Sequence, residues 1–194
     1  MILIAPPKGA IELETYINWL KAYQVDFKIL TEDIEDITQP LLLCGGADVG
    51  KNKNRDDMEF KWIDSAVKNN QPIIGICRGM QILNLYFGGS VEDMSDIITE
   101  SHRLDTFEDD ADHSERISQY HFICDEFGNT SEVNSRHHQY CSKVADNFKV
   151  THTSLAGGNI PEAFEDETRR IYAVQWHPER MECVDNQTPL FKIF

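Results

Sequence analysis

Positive charge is scarce in this chain. Lys and Arg total 18 against 33 Asp and Glu, a formal net charge of −15. A nucleic-acid backbone is bound by Lys and Arg that displace its counterions, and an anionic membrane surface by the same cations. Neither partner is expected here. Long apolar runs are missing too: none approaches the ~20 residues that cross a bilayer. The five cysteines are odd in number and include no Cys-x-x-Cys pair. That fits free thiols in a reducing cytoplasm. The opening Met1-Ile2-Leu3-Ile4-Ala5-Pro6-Pro7 lacks the length and basic flank of a signal peptide and reads as a buried strand. No repeat, low-complexity tract or linker divides the chain, so residues 1–194 are expected to form one domain. No cofactor or metal is implied. A homodimer is compatible with the sequence.

What is present is an alternation of helical and extended patterns. Leu13, Tyr16, Ile17 and Leu20 share one helical face between Glu12 and Tyr23. Asp26–Leu30 is a short strand, and the apolar run Pro40-Leu41-Leu42-Leu43-Cys44 is a strand covered on both faces. A second amphipathic helix runs from Met58 to Lys68, with Phe60, Ile63 and Val67 inward. This order predicts an α/β fold with a mostly parallel central sheet and helices on both faces. From Ser90 to Arg116 the chain is polar and acidic, which reads as a solvated loop with one short strand. His102 and His113 fall in it. Strands are predicted at Ile117–Cys124, Ser131–Ser135, Phe148–Ser154, Pro161–Glu165 and Arg170–Trp176. Whether these extend the main sheet or build an antiparallel annex is open.

The densest signal is Gly75-Ile76-Cys77-Arg78-Gly79-Met80-Gln81. It follows the apolar run Pro72-Ile73-Ile74 and opens a helical stretch, Ile82 to Phe87. A strand, a sharp turn with a nucleophile at its tip and a helix make a nucleophile elbow, here G-x-C-x-G. The flanking glycines let strand and helix approach where a Cβ would clash. The turn places Cys77 at a helix N-terminus, which favours negative charge.

A thiolate needs a partner that holds its proton and returns it to the leaving group. His177, in Tyr172-Ala173-Val174-Gln175-Trp176-His177-Pro178-Glu179, stands at the end of an apolar strand. The carboxylate of Glu179 can fix its tautomer. Gly45-Gly46, directly after a buried strand, can turn backbone N–H groups toward a substrate oxygen, and with the N–H of Arg78 can form an oxyanion hole. Gly-Gly after a strand is common, and His-Pro-Glu alone says little. All three signals in this order are hard to obtain by chance. Cys44, Cys124, Cys141 and Cys183 read as structural thiols. His137, His138 and Cys141 lie too close together for the usual spacing of zinc ligands.

This set resembles the class I glutamine amidotransferase-like family from Leu41 to Glu179. The elbow, Asn84, Gly88-Gly89-Ser90 and Val133-Asn134-Ser135-Arg136-His137-His138-Gln139 are most similar to its γ-glutamyl-γ-aminobutyrate hydrolase branch. The resemblance implies a flavodoxin-like three-layer sandwich. It implies that Cys77 attacks a γ-glutamyl carbonyl, that His177 shuttles the proton and that Glu179 orients His177. Gly46 and Arg78 would supply oxyanion N–H groups. Gln81, Ser135, Arg136 and His137 would hold the α-amino and α-carboxylate groups of a small-molecule γ-glutamyl substrate. The activity implied is hydrolysis of a γ-glutamyl amide. The alternatives are a glutaminase subunit that passes ammonia to a separate synthase partner, and a non-catalytic regulatory protein of the same fold. The chain departs from the branch in the short segment after Gly46, which reads Gly50-Lys51-Asn52-Lys53-Asn54-Arg55, and in running only to Phe194 beyond Glu179. Cations gather near the expected site despite the acidic whole: Lys51, Lys53, Arg55, Arg78, Arg136 and Arg180. Such a cluster can focus an anionic leaving group, a carboxylate or a phosphate-bearing moiety. It can equally be a solvated loop with arginines paired to the abundant acids.

Overall fold

The computed structural model describes residues 1–7, 9–31, 36–94, 119–155 and 158–181, with Gln119 described only by its backbone. The acidic segment from residue 95 on, with His102 and His113, lies outside the described residues, as do Cys183 and the last residues of the chain. Strands are β1 (Ile2–Ala5), β2 (Phe27–Ile29), β3 (Leu41–Leu43), β4 (Ile73–Ile76), β5 (Ser90–Asp93), β6 (Gln119–Asp125), β7 (Thr130–Ser135), β8 (Gln139–Lys143), β9 (Lys149–Ser154), β10 (Pro161–Asp166) and β11 (Ile171–Val174). Helices are α1 (Ala10–Ala22), α2 (Lys53–Lys68) and α3 (Arg78–Tyr86), and a 3-10 turn covers Pro178–Arg180.

The main sheet has the order β2-β1-β3-β4-β11-β10-β9-β6-β7. Strands β2, β1, β3, β4 and β11 run parallel. From β11 outward, β10, β9, β6 and β7 are antiparallel to their neighbours. The open question of the later strands resolves in one sheet: they are antiparallel and they continue the parallel half. A separate two-stranded ribbon pairs β5 with β8.

The parallel strands are apolar on both faces because both are covered. Leu3, Ala5, Leu41, Leu43 and Ile73 point to the side packed by Trp62, Ile63 and Ala66 of α2 and Met80 and Leu83 of α3. Ile2, Ile4, Leu42, Ile74 and Ile76 point the other way, to Tyr16, Trp19 and Leu20 of α1. The register keeps each set in phase, pairing Leu3 with Leu41 and Ile4 with Leu42. The result is the expected three-layer, flavodoxin-like sandwich. α2 starts at Lys53, five residues before the apolar periodicity begins. Its polar first turn is held by the Asn52 side chain, which accepts from the Arg55 N–H.

At the elbow, glycine is required by contact. A Cβ on Gly75 would lie 2.6 Å from the Gly79 carbonyl oxygen, and one on Gly79 would run into the carbonyl of Leu43. Gly79→Ala is therefore expected to lower unfolding free energy by about 3 kcal/mol, measured by urea denaturation; an unchanged midpoint would contradict this packing.

Candidate active site

In open α/β sheets, ligands bind beyond the carboxyl ends of the parallel strands. Three neighbouring strands deliver the site here. Gly45 and Gly46 follow β3, Cys77 follows β4, and His177 follows β11. Strands β4 and β11 pair Ile76 with Val174, and the Cys77 N–H donates to the Val174 carbonyl at 2.8 Å. Two residues a hundred positions apart thus emerge in adjoining loops.

Cys77 has φ 52° and ψ −107°, a strained backbone for a non-glycine residue. It is the N-cap of α3 and is 4 % exposed. Its side chain and the His177 ring line the same cavity and crowd the same face of Gly45, where an added Cβ would lie 2.8 Å from His177 Cε1 and 3.6 Å from Cys77 Cβ. The His177 ring meets Glu179 Oε1 through Nδ1 at 2.7 Å, which leaves Nε2 for the sulfur. The 3-10 turn that follows His177 folds Glu179 back onto the ring two residues before it. Burial alone would push the His177 imidazole down. The Glu179 carboxylate, then Cys77, outweigh burial and raise it to about 10. The ring is therefore an imidazolium at neutral pH, a proton donor beside the sulfur. Its folded value lies above the ordinary 6.5. Its contribution to stability is therefore full below that pH and is lost as pH rises through about 10. By contrast, burial and then Glu179 hold the Cys44 thiol well above its usual range, so Cys44 stays protonated. Cys141 is raised likewise, by burial and then by Glu162.

One cavity is lined by Glu12, Gly46, Ala47, Asp48, Lys51, Cys77, Gln81, Arg136, His137, His138, His177 and Arg180. It collects Cys77, His177, Gly46, Gln81, Arg136 and His137 from the expected set. Glu179 stands behind His177, its side chain fully buried. Ser135 is buried and is not among the lining residues; its Oγ has no hydrogen-bond partner among the described residues. The Gln81 amide donates to the Gln139 carbonyl at 2.9 Å and to Gln175 Oε1 at 3.2 Å. His137 Nδ1 meets the Gln139 carbonyl at 2.9 Å.

The expected ring of cations needs correction. Arg78 is 1 % exposed, and its guanidinium pairs with Asp56 and Glu59 of α2, away from the cavity. Only its backbone N–H, at the start of α3, remains for the site. Arg55 pairs with Glu59. Lys53 does not line the cavity, whereas Lys51, Arg136 and Arg180 do.

Several residues of the site receive no role from the sequence. Asn134, fully buried on β7, donates to the His177 carbonyl at 2.8 Å and accepts from the His177 N–H at 2.7 Å. Tyr16 of α1 accepts from the Gly45 N–H at 2.9 Å. Burial, then Glu179, holds its phenol well above the ordinary range, so it stays a neutral hydroxyl. Gln139 accepts from the Val49 N–H at 2.8 Å and so pins the glycine loop to the β5–β8 ribbon. Tyr16 reads as one more core residue, and Asn134 and Gln139 stand in the sequence only as members of the 133–139 stretch that carries the resemblance, with no task attached to either.

The Glu179→Gln variant is expected to bring the His177 titration from about 10 toward the ordinary 6.5, since burial then meets less opposition. NMR titration of the ring checks this; a ring still titrating near 10 would assign the shift to another group.

A family model described as Peptidase C26 matches residues 35–179. The glutamine amidotransferase-like protein YvdE of Lactococcus lactis subsp. lactis is 33% identical over 191 residues, covering 84% of this chain and 77% of that protein. A gamma-glutamyl-CDP-amidate hydrolase of Campylobacter jejuni is 25% identical over 171 residues, covering 85% and 72%. Among solved structures, a glutamine amidotransferase of Thermotoga maritima superposes with TM-score 0.67 at 18% identity, covering 92% of this chain and 75% of that one, a likeness of fold. The chain belongs to the peptidase C26 family, within the class I glutamine amidotransferase-like group, whose chemistry is hydrolysis of C–N amide bonds.

Proposed function

We propose that this protein hydrolyses a small-molecule γ-glutamyl amide through a thioester on Cys77. The observation that carries this reading is the convergence of Cys77 and His177 on one cavity, with the His177 ring held from behind by Glu179 at 2.7 Å. The Cys77 sulfur attacks the γ-carbonyl, and the carbonyl oxygen takes the negative charge. The N–H groups of Gly46 and Arg78 receive that charge. The C–N bond breaks, and His177 Nε2 gives its proton to the departing amine. Water then attacks the thioester, His177 takes a proton from it, and glutamate leaves as the C–S bond breaks and the sulfur is released. Gln81, Arg136 and His137, with Ser135 behind them, recognise the glutamyl end.

The amine that leaves carries negative charge. Besides the Arg136 given to the glutamyl end, Lys51 and Arg180 line the cavity of a protein whose net charge is −15, and two cations there can draw a carboxylate or a phosphate-bearing group. The Campylobacter relative named for a cytidine-diphosphate conjugate supports the same choice. Glu12 and Asp48 share the wall and keep it from being uniformly positive.

A panel of γ-glutamyl conjugates tests the reading by glutamate release, with Cys77→Ala expected to abolish turnover. Glutamine consumed faster than every conjugate would instead identify the ammonia-releasing half of a two-protein synthase. No turnover, together with no labelling of Cys77 by a glutamine-like diazo-ketone, would identify a silent relative. Lys51→Ala is expected to lower kcat/KM about tenfold for anionic leaving groups and to leave neutral ones nearly unchanged. Equal losses on both would remove the charge argument.

A further inference from the structure

Four charged side chains beneath the cavity are joined in one chain of ion pairs. Arg55 Nε donates to Glu59 Oε1 at 2.9 Å, Glu59 Oε2 pairs with Arg78 Nη1, and Asp56 Oδ1 pairs with Arg78 Nη2. Two guanidiniums meet two carboxylates, so the group is neutral. Arg78 and Glu59 are each 1 % exposed. An ion network this deep is costly to assemble, and none of its four members receives a role in the reaction above, apart from the backbone of Arg78.

What the network holds is the backbone on either side of the cavity. Arg55 Nη2 donates to the Gly45 carbonyl at 3.1 Å and to the Cys44 carbonyl at 3.4 Å. In a trans peptide the C=O and the following N–H point in opposite directions. With the Gly45 oxygen drawn toward Arg55, the N–H of Gly46 faces away from it, and Gly46 is a wall of the cavity. The fit is close: a Cβ on Gly46 would strike the Arg55 guanidinium, and Gly46 has φ +145°. Asp56 Oδ2 accepts from the Gly50 N–H at 3.0 Å and so anchors the far end of the same loop. The other pairings fix Arg78, whose N–H opens α3 next to Cys77. Both N–H groups assigned to the developing oxyanion are therefore tethered to one turn of α2.

We propose that Arg55 is a positioning residue that aims the Gly46 N–H into the cavity, and that its network with Glu59, Asp56 and Arg78 sets the separation of the two oxyanion donors. This rests on the reading of Cys77 as an acyl-transfer nucleophile, though not on which amide it cleaves. The guanidinium touches no substrate. Its planar fork holds Glu59 and two carbonyls at once, which a lysine ammonium cannot reproduce.

The test compares two reactions of the Cys77 sulfur in the full chain. Alkylation by iodoacetamide builds no oxyanion. Acylation by p-nitrophenyl acetate does, and it needs no γ-glutamyl group. Arg55→Lys is expected to slow Cys77 acylation about a hundredfold while alkylation stays within about twofold of the parent. Glu59→Gln, which keeps the shape and removes the charge, is expected to show the same split if the lysine variant proves insoluble. Acylation unchanged in both variants overturns the proposal. Acylation and alkylation falling in parallel also overturns it, because a general loss of structure would do that. A parent protein that alkylates but never acylates has no working donor pair and overturns it as well. If acylation splits as expected while no γ-glutamyl conjugate is turned over, the positioning role stands and the substrate class proposed above falls.

Discussion

The parallel pairing of β3, β4 and β11 is the constraint on which the site depends. Each strand ends at the same edge of the sheet, and each carries one part of the chemistry in the residues that follow it. The pairing is secured far from any catalytic group, by Ile73, Ile74, Leu41, Leu42 and Ile171, all buried among helices on two faces. Apolar burial of this kind is non-directional, but the hydrogen-bond ladder turns it into a register, and a slip by one residue would exchange the two faces. The strained turn at Cys77 is tolerable because its neighbours leave it no alternative. The Val174 carbonyl holds its N–H, and close contacts at Gly75 and Gly79 fix the strand and helix on either side. Strain at one residue is thus supported by packing at many.

Electrostatics shows a division of labour. The chain is rich in acids, yet the buried Arg78 is matched with Asp56 and Glu59, and with Arg55 added the group beneath the cavity is neutral. The imbalance appears instead next to the sulfur, where Glu179 keeps a proton on a buried ring that burial alone would strip. The protein thus uses carboxylates in two ways. Asp56 and Glu59 cancel fixed charges. Glu179 creates a titratable one and sets its range.

Much of this was legible in the sequence. The apolar runs at residues 2–5, 41–43 and 73–76 marked strands buried on both faces, and the spacing Gly75, Cys77, Gly79 described its turn without further help. His177 and Glu179 were visible as a pair because a tight turn joins them. Less visible was anything that depends on partners distant in sequence. Arg78 looked like a cation for a ligand because the carboxylates that capture its side chain lie on the preceding helix. β8 was missed: Gln139-Tyr140-Cys141-Ser142-Lys143 has little apolar alternation and gains its strand character from β5. The start of α2 was placed late because its first turn is polar and rests on a cap rather than on the core. Tyr16 carried a clear helical period, but periodicity reports which face is inward and not which hydroxyl meets a glycine.

The clamp that Asn134 places on the backbone of His177 ties the two halves of the sheet to one another in a particular way. Both atoms of its amide are used, so it acts as a one-residue substitute for a strand edge. The base of the proposed triad is consequently indexed to β7, at the far margin of the antiparallel half, as well as to its own strand. Recombining this parallel half with the antiparallel half of a relative would therefore transplant the ring's alignment along with it. A hybrid would keep an aligned imidazole only where the incoming strand brought an asparagine at the matching height.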